Sequence, residues 1–82
     1  MQSLFAVKNA SSIPAIHINI DGERIFTDIL KGDTSPYIFL PVGSITLTVF
    51  NNSEKCIFST WLSIAPQNKL VFSVIDEFLQ LA

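Results

Sequence analysis

The sequence predicts a single all-β domain over residues 1–82, a small antiparallel β-sandwich of about seven to eight short strands. Three observations support this fold class. Apolar and polar residues alternate with a period of two in most segments, and turn-forming residues separate these segments at short intervals. No segment shows the 3.6-residue period of a helix of useful length. Short alternating strands at close spacing are typical of sandwiches.

The first predicted strand covers residues 4–9, and the next two, 14–20 and 23–29, form an antiparallel hairpin. The pair between them is Asp21-Gly22. This dipeptide is favoured in two-residue type I′ turns, because both central residues of such turns take a positive φ. The sequence therefore fixes the position of one hairpin.

The remaining predicted strands cover residues 36–41, 44–50, 56–64 and 69–75, and the apolar tail 78–82 is interpreted as a final short strand. Gly, Pro, Asn and Ser residues punctuate the connections between them. The alternation assigns one side of each strand to the core. The predicted core residues are Phe5, Val7, Ile16, Ile18, Ile20, Ile45, Leu47, Val49, Phe58, Leu62, Phe72 and Val74.

The composition is unusually apolar for a small domain. Hydrophobic residues make up 49% of the 82 residues, and the mean hydropathy is +0.46. A chain of this size has little interior in which to hide apolar side chains. We therefore expect either that both faces of its sheets are covered or that some apolar surface contacts a partner.

Charge and residue usage exclude several classes of protein. Five basic and seven acidic residues give a net charge of −2, without the basic stripe that nucleic-acid binding needs. No apolar run is long enough for a membrane span. The single cysteine, Cys56, forbids an intramolecular disulfide, and we expect it to be a buried, inert thiol. Only Met1, Gln2 and Ser3 precede the first strand, so we expect a cytoplasmic protein without a signal peptide.

The only histidine, His17, alternates with isoleucines on its strand. If the isoleucines face the core, the ring faces outward, and we interpret it as a solvent-exposed side chain. A catalytic triad or a zinc site would need further converging groups that the sequence does not offer. We interpret the acidic residues of the same region as solvated charges. The chain is therefore predicted to be non-enzymatic, with no catalytic residues, no cofactor and no metal.

The candidate interaction surface lies on the last two long strands. Their register sends four apolar side chains away from the core, and consecutive strands are usually neighbours in a sheet. These side chains would then share one outward face. The alternative is that the tail 78–82 covers them within the same chain. The candidate residues are Ile57, Trp61, Val71 and Ile75.

Several short motifs follow one another in a characteristic order: Asn9-Ala10-Ser11, Pro14 to Gly22, Ser35-Pro36-Tyr37, Pro41 to Ser44, and Ala65-Pro66. In this order they resemble a bacterial domain of unknown function, family 4397. The resemblance implies an immunoglobulin-like or transthyretin-like sandwich. It also implies a setting on the cell surface or in signal-less proteins of spore-forming bacteria, hence a spore association, and no catalytic residues. His17 stands where that family usually has Asp.

These features together predict a structural or self-assembling β-sandwich that forms a homo-oligomer. The alternative function is a monomeric binding module for a carbohydrate or peptide partner, with Tyr37 and Trp61 as stacking anchors. The mass of the protein in solution distinguishes the two, because only the first requires association.

Overall fold

The structure is a computed structural model that describes residues 2–66, 69–76 and 78–81, and these residues form eight strands and no helix. The predicted strands agree with the observed ones to within two residues at each described end. Ala82 of the predicted last strand lies outside the described residues. The strands are β1 (Gln2–Asn9), β2 (Ala15–Ile20), β3 (Glu23–Leu30), β4 (Ile38–Pro41), β5 (Gly43–Asn51), β6 (Cys56–Ile64), β7 (Lys69–Ile75) and β8 (Phe78–Leu81).

The strands form two four-stranded sheets, with the orders β4-β1-β7-β8 and β3-β2-β5-β6. All neighbouring strands are antiparallel except β1 and β7, which run parallel. The all-β prediction is therefore confirmed, with one parallel pair that the alternation could not reveal. The predicted proximity of β6 and β7 is wrong, because the chain crosses from one sheet to the other between them.

The core lies between the two sheets and draws side chains from both. Nine of the predicted core residues are buried, and Phe58, Leu62 and Phe72 are half-buried and pack against the same cluster. The ring of Phe72 contacts that of Phe5, with 5.6 Å between the ring centroids. The buried predicted residues are Phe5, Val7, Ile16, Ile18, Ile20, Ile45, Leu47, Val49 and Val74.

The predicted hairpin joins β2 and β3 through Asp21 and Gly22, whose φ angles are +51° and +83°. Positive φ at both positions is the requirement that made this dipeptide informative. The turn also contacts β5: the Asp21 amide donates to the Thr46 carbonyl (2.8 Å), and the Thr46 amide donates to Asp21 Oδ1 (2.9 Å). The hairpin is thereby fixed in register against the third strand of its sheet.

A fully buried polar side chain, Asn9, connects the end of β1 to the neighbouring loop and sheet. Its Nδ2 donates to the carbonyls of Ile13 (3.0 Å) and Ile29 (2.9 Å), and its Oδ1 accepts from the amide and hydroxyl of Ser11. All four hydrogen-bonding positions of the amide are occupied. Asn9 therefore links the end of β1 to β3 in the other sheet and to the loop that follows β1, and its buried polar atoms are all hydrogen-bonded.

Candidate functional site: an open sheet edge and a covered histidine

The predicted interaction surface does not form one patch. Trp61 lies on β6 and is 76% exposed, whereas Val71 and Ile75 are half-buried on β7 in the other sheet. Ile57 packs against the core instead of facing solvent, because a β-bulge interrupts the register where β6 begins. The described part of the tail, residues 78–81, does not cover Trp61 either, since it forms β8 and pairs with β7 in the other sheet.

Trp61 instead belongs to an open sheet edge. Among the described residues, β5 is the only strand that pairs with β6, so the other side of β6 has no backbone partner. The nine residues of β6, CIFSTWLSI, contain neither a charge nor a proline. Natural proteins usually protect an edge with charges, prolines, bulges or a short strand. Along most of its length, β6 has none of these.

The other edges of the described sheets carry such protection. β3 contains Glu23, Arg24 and Asp28 and is irregular in its pairing with β2. β4 and β8 have only four residues each, and β4 ends in Pro41. The contrast makes β6 the edge best suited to pair with another strand.

The hydrogen bonds of β5 show which backbone groups of β6 are open. Thr46 directs its amide toward Asp21 on the β2 side, whereas the Asn51 amide points to the Lys55 carbonyl on the β6 side. The odd-numbered residues of β5 therefore direct their backbone amides and carbonyls toward β6. Their partners Phe58, Thr60 and Leu62 use their amides and carbonyls toward β5. The alternate residues, Ser59, Trp61 and Ser63, direct theirs to the open side.

The side chains along β6 are also incompletely covered. Phe58, Thr60 and Leu62 point toward the core but remain half-buried, because β6 is the last strand of its sheet among the described residues. Ser59, Trp61 and Ser63 are exposed on the outer face.

Cys56, at the start of β6, is exposed as well. The expectation of a buried thiol is therefore wrong, because Cys56 pairs with Phe50 next to the bulge and does not point into the core.

The second candidate, His17, is buried, with only 6% of its surface exposed, so its interpretation as a solvated residue is wrong. The ring does face away from the isoleucines. Neighbours on that outer face nevertheless cover it: Nε2 lies 3.2 Å from Glu54 Oε2, and Nδ1 accepts a hydrogen bond of 3.0 Å from the Asp28 amide. Nδ1 is therefore the hydrogen-bond acceptor of the ring, and Nε2 faces the Glu54 carboxylate.

Two backbone features bring these partners to the ring. Asp28 (φ +53°) lies in the bulge of β3 opposite His17, and Glu54 (φ +62°) lies in the turn between β5 and β6. Non-glycine residues seldom adopt positive φ, which costs about 1 kcal/mol or more. In the bulge, the Asp28 amide turns to the imidazole instead of a strand carbonyl. The histidine therefore completes the backbone pairing of an irregular hairpin.

Arg24 binds Glu54, the residue that lies against His17. Its guanidinium binds both carboxylate oxygens of Glu54 and lies over the ring of Phe50, 5.3 Å from the centroid. The hydrogen bonds between Arg24 and Glu54 favour the charged form of both groups. They lower the pKa of Glu54 and raise the pKa of Arg24. The sequence does not indicate Glu54 as a partner of His17, because the two are 37 residues apart along the chain. Arg24 is connected to His17 only through Glu54. The positive-φ turn that places Glu54 leaves no simple signature in the sequence.

The described residues include no group of three or more His, Cys, Asp or Glu side chains that could hold a metal ion. Within the same ranges, no helix has the length and hydropathy needed to cross a bilayer. The predicted stacking anchors lie on different sheets: Tyr37 leads into β4, with Lys69 Nζ 5.3 Å from its ring centroid, and Trp61 lies on β6.

Comparisons of the chain with protein-family models, curated proteins and solved structures find no match. The resemblance to family 4397 therefore gains no support from them.

Proposed function

We propose that this chain is a non-enzymatic structural protein that acts by self-association, with the β6 edge as its contact surface. The observation that carries the proposal is the combination of a nine-residue edge without charge or proline and a Trp61 side chain that is 76% exposed. An edge of this kind is a template for another strand. A second copy of the chain supplies such a strand with the same composition.

The exposed tryptophan contributes energy to this contact. A fully buried tryptophan side chain removes about 150–250 Å² from water, which at about 25 cal/mol per Å² is about 4–6 kcal/mol. A tryptophan at a sheet edge is covered only on the side of the added strand, so each Trp61 supplies a part of this amount. Two such side chains, together with paired backbone groups, can offset an association cost of about 4–15 kcal/mol. The apolar side chains of β6 would then stabilise the contact between copies as well as the core of each chain.

The covered histidine supports the non-enzymatic part of the proposal. His17 Nδ1 is occupied by the Asp28 amide, and Nε2 faces Glu54, so the ring acts as a structural link. A general base needs a nitrogen that can reach the proton of a substrate.

Light scattering coupled to gel filtration tests the proposal. We expect the wild type to have a mass above 9.1 kDa, that of one chain. The Trp61→Glu variant should have a lower mass, because a charge on the edge opposes pairing. Phe39→Glu is the matched control, since Phe39 is an exposed aromatic residue on β4 in the other sheet. This control should keep the wild-type mass.

A wild type that stays monomeric at high concentration would refute self-association. That result would favour the alternative, a monomeric module that binds a carbohydrate or peptide through the exposed Trp61. An oligomer whose mass falls with Phe39→Glu but not with Trp61→Glu would move the contact from β6 to β4.

A further inference from the structure

We infer that two copies of this chain pair β6 with β6 in antiparallel orientation across a two-fold axis at Thr60, which gives a closed dimer with a continuous eight-stranded sheet. The inference rests on the proposed self-association and adds the partner, the symmetry and the register.

The geometry of strand pairing restricts the register. In an antiparallel pair, opposite residues point to the same face of the sheet. A two-fold axis perpendicular to the sheet must therefore pass through a residue paired with its own copy. Thr60 is the middle residue of Cys56–Ile64. With the axis at Thr60, each of the nine residues of β6 lies opposite a residue of the partner's β6. An axis at any other residue leaves residues at the ends of both strands unpaired.

The side chains match in this register. On the core side, Phe58 lies opposite the partner's Leu62; both are half-buried in the single chain and would cover each other. On the outer face, Trp61 lies opposite the partner's Ser59, so a large side chain meets a small one. An axis at Trp61 would instead place the two large indole rings directly opposite each other.

The backbone also matches. The open amides and carbonyls belong to Ser59, Trp61 and Ser63, as the direction of the β5 hydrogen bonds shows. In the Thr60-centred register, Ser59 and the partner's Trp61 exchange both of their hydrogen bonds. Thr60 and the partner's Thr60 form a pair without hydrogen bonds, with Cα atoms about 4.5 Å apart.

The same features limit the assembly to two chains. A two-fold contact uses the β6 edge of both copies, so neither copy keeps an open β6. The remaining described edges are charged and irregular (β3) or only four residues long (β4 and β8). Growth into a filament would need a second unprotected edge.

Disulfide trapping tests the register. In a Cys56→Ser background, Thr60→Cys places two thiols at the axis, where the Cα separation suits a disulfide. Ser59→Cys is the matched control: its two copies are offset by two residues, about 6.8 Å along the strands, and the strands themselves lie about 4.8 Å apart. The two Cα atoms are then about 8 Å apart, beyond the 7 Å limit for bridging. Circular dichroism first establishes that both variants keep the β fold.

Under mild oxidation, we expect a covalent dimer for Thr60→Cys and at least tenfold less for Ser59→Cys, although Ser59 is the more exposed position. Equal or reversed yields would overturn the register. If the wild type has a dimer mass but Thr60→Cys does not cross-link, the register fails while self-association stands. If the wild type is monomeric, both fail.

A second measurement needs no substitution. A spin label on the exposed native Cys56 reports the separation of the two copies. Cys56 lies opposite the partner's Ile64, so the two Cys56 residues are eight positions apart, about 27 Å along the strands. An axis at Trp61 would increase this to about 34 Å. A distance distribution centred near the longer value, once corrected for the label, would contradict the Thr60 axis even if the cysteine variants do not fold.

Discussion

Replacement of His17 tests the interpretation of this residue as a structural link. His17→Ala removes a ring that is only 6% exposed and leaves the Asp28 amide of the β3 bulge without its acceptor. Loss of a hydrogen bond costs about 0.5–1.5 kcal/mol. The lost packing adds to this, since the ring lies under Glu54 and near Phe50. We expect the free energy of unfolding to fall by about 1.5–3 kcal/mol, a large share of the 5–15 kcal/mol typical of a domain.

Two conservative variants separate the contacts of the ring. The side-chain oxygen of Asn can occupy the place of Nδ1 and accept a hydrogen bond from the Asp28 amide. The longer Gln side chain places its amide group near Glu54, where it cannot accept from the Asp28 amide. His17→Asn should therefore be about 1 kcal/mol more stable than His17→Gln. Urea denaturation at one fixed protein concentration measures both, because association would otherwise shift the midpoint. A loss for His17→Ala within the ~0.5 kcal/mol of an exposed substitution would refute the reasoning.

Two further predictions concern other polar contacts. Asn9→Asp should cost about 2–5 kcal/mol in denaturant unfolding, because a carboxylate loses two donors and faces the carbonyls of Ile13 and Ile29; near-wild-type stability would contradict the assigned bonds. Arg24 lowers the pKa of Glu54 below its ordinary value of 4.5, so the contribution of this pair is present above that pH and is lost as pH falls through the lower pKa of the folded state. The stability difference between wild type and Glu54→Gln should therefore shrink between about pH 6 and 3, and a constant difference would argue against the pair.

Local features of the fold were predictable because they depend on neighbours in sequence. The alternation of Ile16, Ile18 and Ile20 fixed the inward face of β2. Asp21-Gly22 fixed the turn, since only a few residues adopt positive φ at low cost. Strand positions and most core residues follow from the same two signals.

Features that depend on contacts between distant segments were not predictable. Strands joined by a short connection can pair in one sheet or cross to the other, and the alternation within β6 and β7 is the same in both cases. For this reason, the four residues of the predicted interaction surface do not lie on one face. Likewise, the orientation of His17 follows from the alternation, but its burial depends on Glu54, which only the folded chain brings to the ring and which Arg24 binds.

Amide hydrogen exchange along β6 tests the central claim most directly. In a single chain, Phe58, Thr60 and Leu62 direct their amides to β5, whereas Ser59, Trp61 and Ser63 direct theirs to the open edge. If two β6 strands pair, both sets are protected at concentrations where the dimer forms, and the second set alone loses protection on dilution. Fast exchange of Ser59 and Trp61 at every concentration, beside slow exchange of Thr60, would contradict the claim that this edge is the contact between copies.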